Sequence, residues 1–244
     1  MPFTFSHPAA VLPLTFLPRR WFSLTGLVIG SMAPDFEYFI RMKVHSSYSH
    51  TWTGVLLFDL PLAVLLSFIF HIIVRNDLID NLPPVFKSRL AAFLLFQWTD
   101  YFKSNVFVVL LSSIFGTITH VIWDSFTHLN GHSVEAIGGL QDTLVLVGHE
   151  VPVYKILQHT STIVGGLSIV YALFRLPVVS LTKTQTRQGY WLSVTVTTLT
   201  VIAFRVWLGQ SSNFIGNIIV TAIAGGLIGL ILTPQVLRVT QNGR

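Results

Sequence analysis

Apolar residues run along this chain in blocks of membrane length, separated by polar turns. The blocks at 52–74, 105–125, 160–176, 190–208 and 214–232 each fall in the range of about 17–25 residues that a spanning helix needs. The N-terminal blocks are different. Residues 1–18 are apolar but too short and too proline-rich to span, and they predict a short helix over 8–16, with Ser6 as its cap, Pro8 in its first turn and His7 at its mouth. Residues 21–32 carry Gly26 and Gly30 and end at Ala33-Pro34-Asp35-Phe36-Glu37. Broken segments of this kind enter a membrane only where protein or water covers their backbone, and Asp35 and Glu37 argue against one crossing over 21–40, a point the pattern leaves open. The reading is an all-α polytopic membrane protein with about five transmembrane helices plus N-terminal broken or re-entrant helices. It forms one integral-membrane domain over 1–244, with an N-terminal metal-site segment (1–51), a core of two spans and a loop (52–159) and three C-terminal spans (160–244). The loop 126–159 reads as the longest polar connection. Glycines 216, 225, 226 and 229 in the last block suit close helix packing or simply tolerance of glycine in lipid.

Composition agrees with that pattern. Charged residues make up 10%, against about 25% in soluble domains, and mean hydropathy is +0.67. The net charge of +5 is spread between apolar runs, so the basic residues read as topology signals and no nucleic-acid partner is expected. Arg75, Lys87, Arg89, Lys103, Lys183, Arg187, Arg238 and Arg244, with Arg175 nearby, mark a cytoplasmic side; Arg19, Arg20, Arg41, Lys43 and Lys155 mark the other. With no cysteine, disulfides, thiolate metal sites and cysteine nucleophiles are excluded. The first basic pair follows the first apolar stretch, the reverse of a cleavable leader, so His7 is expected in the mature chain.

The chemistry gathers at one end of the spans. His120, Asp124 and His128 stand at i, i+4 and i+8, one stripe of a continuing helix that drifts by roughly 40° per step. His7, Asp35 and His50 fall at the same membrane end on the charge-derived topology, as does His159 if it is a late ligand rather than an interfacial hydrogen-bonding group. Imidazole and carboxylate together suit zinc and similar divalent ions, one or two of them, and Asp124 can bridge a pair that activates water. The competing reading is helix-end side chains packed on polar neighbours. Glu37 is a supporting group or a base, or else a solvated helix-end acid. His132 and His149 read as solvated, His45 as a turn residue, and His71 as a packing histidine without a partner. Asp59 and Arg205, the charges inside spans, suggest an ion pair that fixes helix arrangement.

The stretches MPFTFSHPAAVLPL, IGSMAPDFEYF, SHTWTG, HVIWDSFTH and VPVYKILQHTST resemble, over essentially the whole chain, an uncharacterised bacterial integral-membrane family defined as a domain of unknown function. More distantly, the order His, Pro-Asp, Ser-His-Thr, His-x-x-x-Asp-x-x-x-His resembles membrane-bound metal-dependent hydrolases, which are themselves similar to the zinc-dependent phospholipase C fold. That resemblance implies metal ligands at His7, Asp35, His50, His120, Asp124 and His128, with Asp124 bridging and catalytic. It departs from the phospholipase pattern at the N-terminus, an ordinary Met1-Pro2, and at His149-Glu150, adjacent where a His-x-x-x-Glu pair is expected, so one or two ions are implied rather than three. The expected function is hydrolysis of a phosphoester or other ester, of a lipid or a small molecule, at the outer face of a bacterial plasma membrane, with zinc ahead of manganese or iron. The alternatives are a non-catalytic protein with a structural metal or polar site, and a transporter with Asp59 and Arg205 on its path.

Overall fold

Among the described residues, five helices are long and apolar enough to cross a membrane: Trp52–Asp80, Val106–Ser125, Val153–Arg175, Gly189–Trp207 and Phe214–Arg238, here the first to fifth spans. The computed structural model describes residues 3–180, 188–209 and 214–242. Met1, Pro2, Lys183, Arg187 and Arg244, used in the sequence reading, lie outside the described residues. The architecture is that of an all-α polytopic membrane protein. Large apolar side chains such as Leu57, Phe107, Leu192 and Ile215 stand exposed along the spans, a surface for hydrocarbon rather than water. The segment 21–40 is not one of the five. It breaks into α1 (Leu24–Gly30), a 3₁₀ turn (Ala33–Asp35) and α2 (Phe36–Arg41).

Two span limits differ from the hydropathy reading. The first span runs on past Val74 because Arg75 is buried rather than terminal: its Nη1 donates to the Phe96 carbonyl at 2.6 Å and to His71 Nδ1 at 3.1 Å. The third begins at Val153, since the polar Gln158 and His159 belong to its first turns; hydropathy finds the hydrocarbon-matched part of a helix, not its end. The N-terminus also differs. Thr4–Phe16 is a run of 3₁₀ turns interrupted by Pro8 and Pro13, which lack the N–H that an α-helix needs. Ser6 does not cap it; its hydroxyl donates to the Phe3 carbonyl at 2.6 Å, and His7 lies inside the run rather than at a mouth. The loop after the second span holds an unforeseen hairpin, β1 (Thr143–Leu146) and β2 (His149–Pro152), with Leu144 opposite Val151. Val147 and Gly148 turn it with φ of 50° and 80°, the signs of a two-residue hairpin turn.

The chain divides into two units. The first comprises Met1–Asp35, Tyr48–Val64 and Asn105–Arg175. Its centre is α1 lying directly on the second span. A Cβ at Gly30 would fall 2.3 Å from the Ser113 carbonyl oxygen, and one at Gly116 would fall 2.3 Å from that of Leu27. Only glycine permits so close an approach, the small-residue packing of membrane helices. Polar contacts lock it: the Ser23 N–H donates to Ser112 Oγ at 2.8 Å, and Thr117 Oγ1 to the Gly30 carbonyl at 3.1 Å. This contact brings the residues after α1 alongside the end of the second span.

The second unit comprises Phe36–Ser47, Leu65–Ser104 and Leu176–Arg244. There Gly225 and Gly229 let the fifth span meet the fourth, a Cβ at either falling 3.0–3.1 Å from Thr198 Cα or Val194 Cα. Phe39 of α2 packs on Val220 and Ala224. His71 stacks on Trp98 with centroids 4.7 Å apart and takes Arg75 as its partner one turn along, which the sequence reading missed. Asp59 is fully buried in the first unit, and Arg205 of the second donates from Nη1 to the Gly209 carbonyl at 3.2 Å.

Candidate metal centre

Four side chains of the first unit converge from three separate stretches: Asp35, His50, His120 and Asp124 each offer one donor atom, and all four atoms lie within 4.8 Å of one another. His120 and Asp124 are one turn apart near the C-terminal end of the second span, both essentially buried. The Ser31 carbonyl, left without a helical partner at the end of α1, accepts a hydrogen bond from His120 Nδ1–H at 2.7 Å. A carbonyl can only accept, so the Nδ1 proton is fixed and the neutral ring presents a lone pair at Nε2.

Asp35 enters from the 3₁₀ turn, fully buried. Its Oδ2 accepts a hydrogen bond from Thr4 Oγ1 at 2.5 Å, while its Oδ1 has no hydrogen-bond partner. His50 is placed by the turn ahead of the first span. Thr51 Oγ1 accepts the Gly54 N–H at 2.9 Å as an N-cap. A Cβ at Gly54 would fall 2.0 Å from the Tyr48 carbonyl oxygen, so the turn closes only on glycine. His50 itself sits at φ 62°, a left-handed conformation that non-glycine residues seldom adopt. Ser49 Oγ lies 2.9 Å from its Nδ1.

The distances decide what this cluster can do. His50 Nε2 lies 3.2 Å from His120 Nε2, 3.4 Å from Asp124 Oδ2 and 3.6 Å from Asp35 Oδ1; His120 Nε2 lies 3.5 and 3.6 Å from the same two oxygens. The contacts to oxygen are longer than the ~2.7–3.2 Å of an N–H···O hydrogen bond. They match the edges of a tetrahedron: bonds of about 2.0–2.1 Å to a central ion put ligand atoms roughly 3.3–3.4 Å apart. With both imidazoles neutral, the two carboxylates carry the charge that one divalent ion cancels.

His7 and His128 stand beside this set. The His7 ring stacks on His120 with centroids 3.7 Å apart, and its Nε2 is 3.5 Å from Asp124 Oδ1; both atoms are buried without a hydrogen bond. His128 does not lie on a helical stripe, because the helix ends at Ser125. A turn carries it back so that its Nδ1–H donates to the Asp124 carbonyl at 2.9 Å, leaving Nε2 buried without a partner. Burial pushes the His7 imidazole down to about 3, and lowers His128 as well. Burial alone would raise Asp35, but the His120 and His50 imidazoles hold it below the ordinary carboxylate range. Burial alone would lower His50, but the Asp124 and Asp35 carboxylates raise it.

The structure does not bring every expected residue to this set. His159 is exposed on the third span. Glu37, in the second unit, is 2% exposed and so is not a solvated helix-end acid. Arg41 holds its Oε1 through Nε and Nη2, both at 2.8 Å, and the Ser47 N–H donates to it at 2.9 Å. Sequence reasoning overlooked Thr4 and the Ser31 carbonyl, which orient Asp35 and His120; neither carries a signal beyond its place beside an apolar turn.

No curated protein and no solved structure matches this chain, so the likeness to hydrolases and to the phospholipase fold rests on the motifs alone. The family model described as a domain of unknown function, DUF4184, matches residues 1–235, and the chain belongs to that family.

Proposed function

We propose that this protein is a membrane-embedded, metal-dependent hydrolase of phosphoesters or other esters, with zinc as its ion and the site at the extracytoplasmic face. The observation that carries the reading is the set of buried donor atoms on both oxygens of Asp124. On its Oδ2 side, Asp35, His50 and His120 complete four ligands, enough to close a tetrahedral site. On its Oδ1 side, His7 Nε2 stands at a ligand-like distance of 3.5 Å; His128, whose Nδ1 is 3.6 Å from Oδ2, keeps a buried Nε2 free of hydrogen bonds. Asp124 thus has the disposition of a bridge between a closed position and an open one, and catalysis requires the open one. When bound, the ions supply Lewis acidity toward water and toward the substrate's oxygen. The chain's own part is to hold the donors rigid. Ser31 fixes the His120 tautomer, Thr4 holds Asp35, and neutral His7 keeps its lone pair available. Glu37, neutralised by Arg41, is no proton carrier on this reading.

A second reading has its own support: four protein ligands complete a tetrahedron, the mark of a structural ion. Metal analysis of the purified protein separates the two. The hydrolase reading expects two equivalents, one equivalent in His7→Ala, and hydrolysis of a model phosphodiester by the parent that His7→Ala loses. One equivalent in both proteins, with no hydrolysis by either, establishes the structural ion instead.

A further inference from the structure

The first unit contains a crevice of about 220 Å³ between the N-terminal 3₁₀ run and the second and third spans. Ala9, Ala10, Trp123, Val164 and Gly165 line it, together with His7. Sites that enclose a whole small molecule run to about 300–1,000 Å³, so this one fits a segment of a longer molecule.

Its chemistry is that of hydrocarbon. Three serines also line it, and each spends its hydroxyl hydrogen locally: Ser6 on the Phe3 carbonyl at 2.6 Å, Ser168 on that of Val164 at 2.8 Å, and Ser161 on that of Leu157. No serine hydrogen is left for a ligand. From Ser161 to Ser168 the wall runs about 10 Å along the third span, the dimension of a stretch of acyl chain. That wall begins eight residues into the helix, at a depth of roughly 12 Å from its start.

The crevice also adjoins the candidate metal centre. A Cβ at Gly165 would lie 2.9 Å from Ser6 Cβ and from the Ser6 carbonyl oxygen, so glycine lets the 3₁₀ run press against the third span and seats the next residue, His7, in the crevice wall. His7 stacks on His120, and its buried Nε2 makes no hydrogen bond. One imidazole therefore belongs both to the apolar crevice and to the donor set around Asp124.

We propose that this crevice is an acyl-chain subsite, and that the substrate is a membrane lipid that enters sideways from the bilayer with its ester linkage carried to the ions beside His7. The substrate class rests on the hydrolase reading; the occupancy of the crevice by a chain does not. The test uses the full-length protein in vesicles of phosphatidylethanolamine and phosphatidylglycerol, with a trace of phospholipid bearing a diazirine in one acyl chain. Label is expected on Ala9, Ala10 and the 161–168 stretch. It should fall about tenfold in Ser168→Phe, which fills the crevice, and stay unchanged in Leu167→Phe, which places the same ring on the exposed face of that helix. Metal content at the parent level shows that both variants fold. Label spread over exposed residues such as Phe107 and Ile215, and indifferent to Ser168→Phe, overturns the subsite. In the second arm, hydrolysis of long-chain over short-chain phospholipid, with the preference lost in Ser168→Phe, supports the lipid substrate. Focused label without any hydrolysis overturns the substrate assignment and leaves the chain-binding crevice standing; hydrolysis indifferent to chain length, with diffuse label, overturns the crevice and leaves the hydrolase.

Discussion

Two acids only two positions apart in the chain meet burial in opposite ways. Glu37, in the second unit, is answered within the protein: a guanidinium and a backbone N–H take up its carboxylate. Asp77 and Asp80 of the same unit also have cations, Arg238 at 3.0 Å and Lys87 at 3.1 Å. Asp35, in the first unit, is more deeply buried than any of these, yet one of its oxygens faces two imidazole nitrogens at 3.6 Å with no hydrogen bond. Burying a charge costs several kcal/mol unless something compensates it. The second unit compensates with its own side chains, whereas the first gathers side chains that could hold a cation. A buried acid is therefore a poor marker of a site by itself. A set of buried imidazoles and carboxylates gathered at coordination distance, with carboxylate oxygens left without a hydrogen bond, is a better one.

The largest effect that tests this contrast is metal loss. Asp124→Ala and His120→Ala should each retain no ion through purification, measured by elemental analysis, while Glu37→Gln should keep the parent content. Glu37→Gln should instead weaken the fold by about 1–3 kcal/mol, read as a lowered melting temperature that added metal does not restore, since Arg41 and the Ser47 N–H lose their anion. A change in metal content there, with stability untouched, would erase the distinction between the two acids. Next comes Thr4→Val, which removes the hydroxyl that holds Asp35 and should weaken metal affinity about tenfold in a chelator competition without abolishing it.

The smallest effect is in pH. His50 has a raised pKa in the fold, so its contribution to the metal-free protein is full below 6.5 and is lost as pH rises through the raised value. His7 is held at about 3 against 6.5 when unfolded, so the unfolded chain binds its proton first and stability falls as pH drops from 6.5 toward 3. Asp35, held below its ordinary 3.8, adds to that acid loss under pH 3.8. Metal-free protein should melt highest near pH 6.5. Loaded protein should lack the alkaline decline, because metal binding needs His50 deprotonated.

Much of this organisation was legible from residue order. The five spans announce themselves through hydropathy, and the Gly26–Gly30 spacing was visible before its use against Ser113 was known. The histidines and acids at span ends drew attention through their type, because ionisable groups at membrane depth need partners. What stayed hidden depends on backbone geometry. A helix assumed to continue carried His128 onto a stripe, when the chain turns at Ser125 and returns it through Asp124's own carbonyl. The prolines at 8 and 13 forced a 3₁₀ path, which no cap residue reveals. The hairpin at 143–152 was too short for its alternation to register against a polar loop. Glu37 could have been placed better, since Arg41 at i+4 is the ordinary helical partner for an acid.

The central claim, that Asp35, His50, His120 and Asp124 hold one divalent ion in a closed tetrahedral set, is tested most directly by X-ray absorption on the purified, zinc-loaded full-length protein. The account predicts a shell of nitrogen and oxygen at about 2.0–2.1 Å that includes two imidazoles and that vanishes in His120→Ala. A spectrum of hydrated, loosely held zinc, identical in the parent and in His120→Ala, would contradict it.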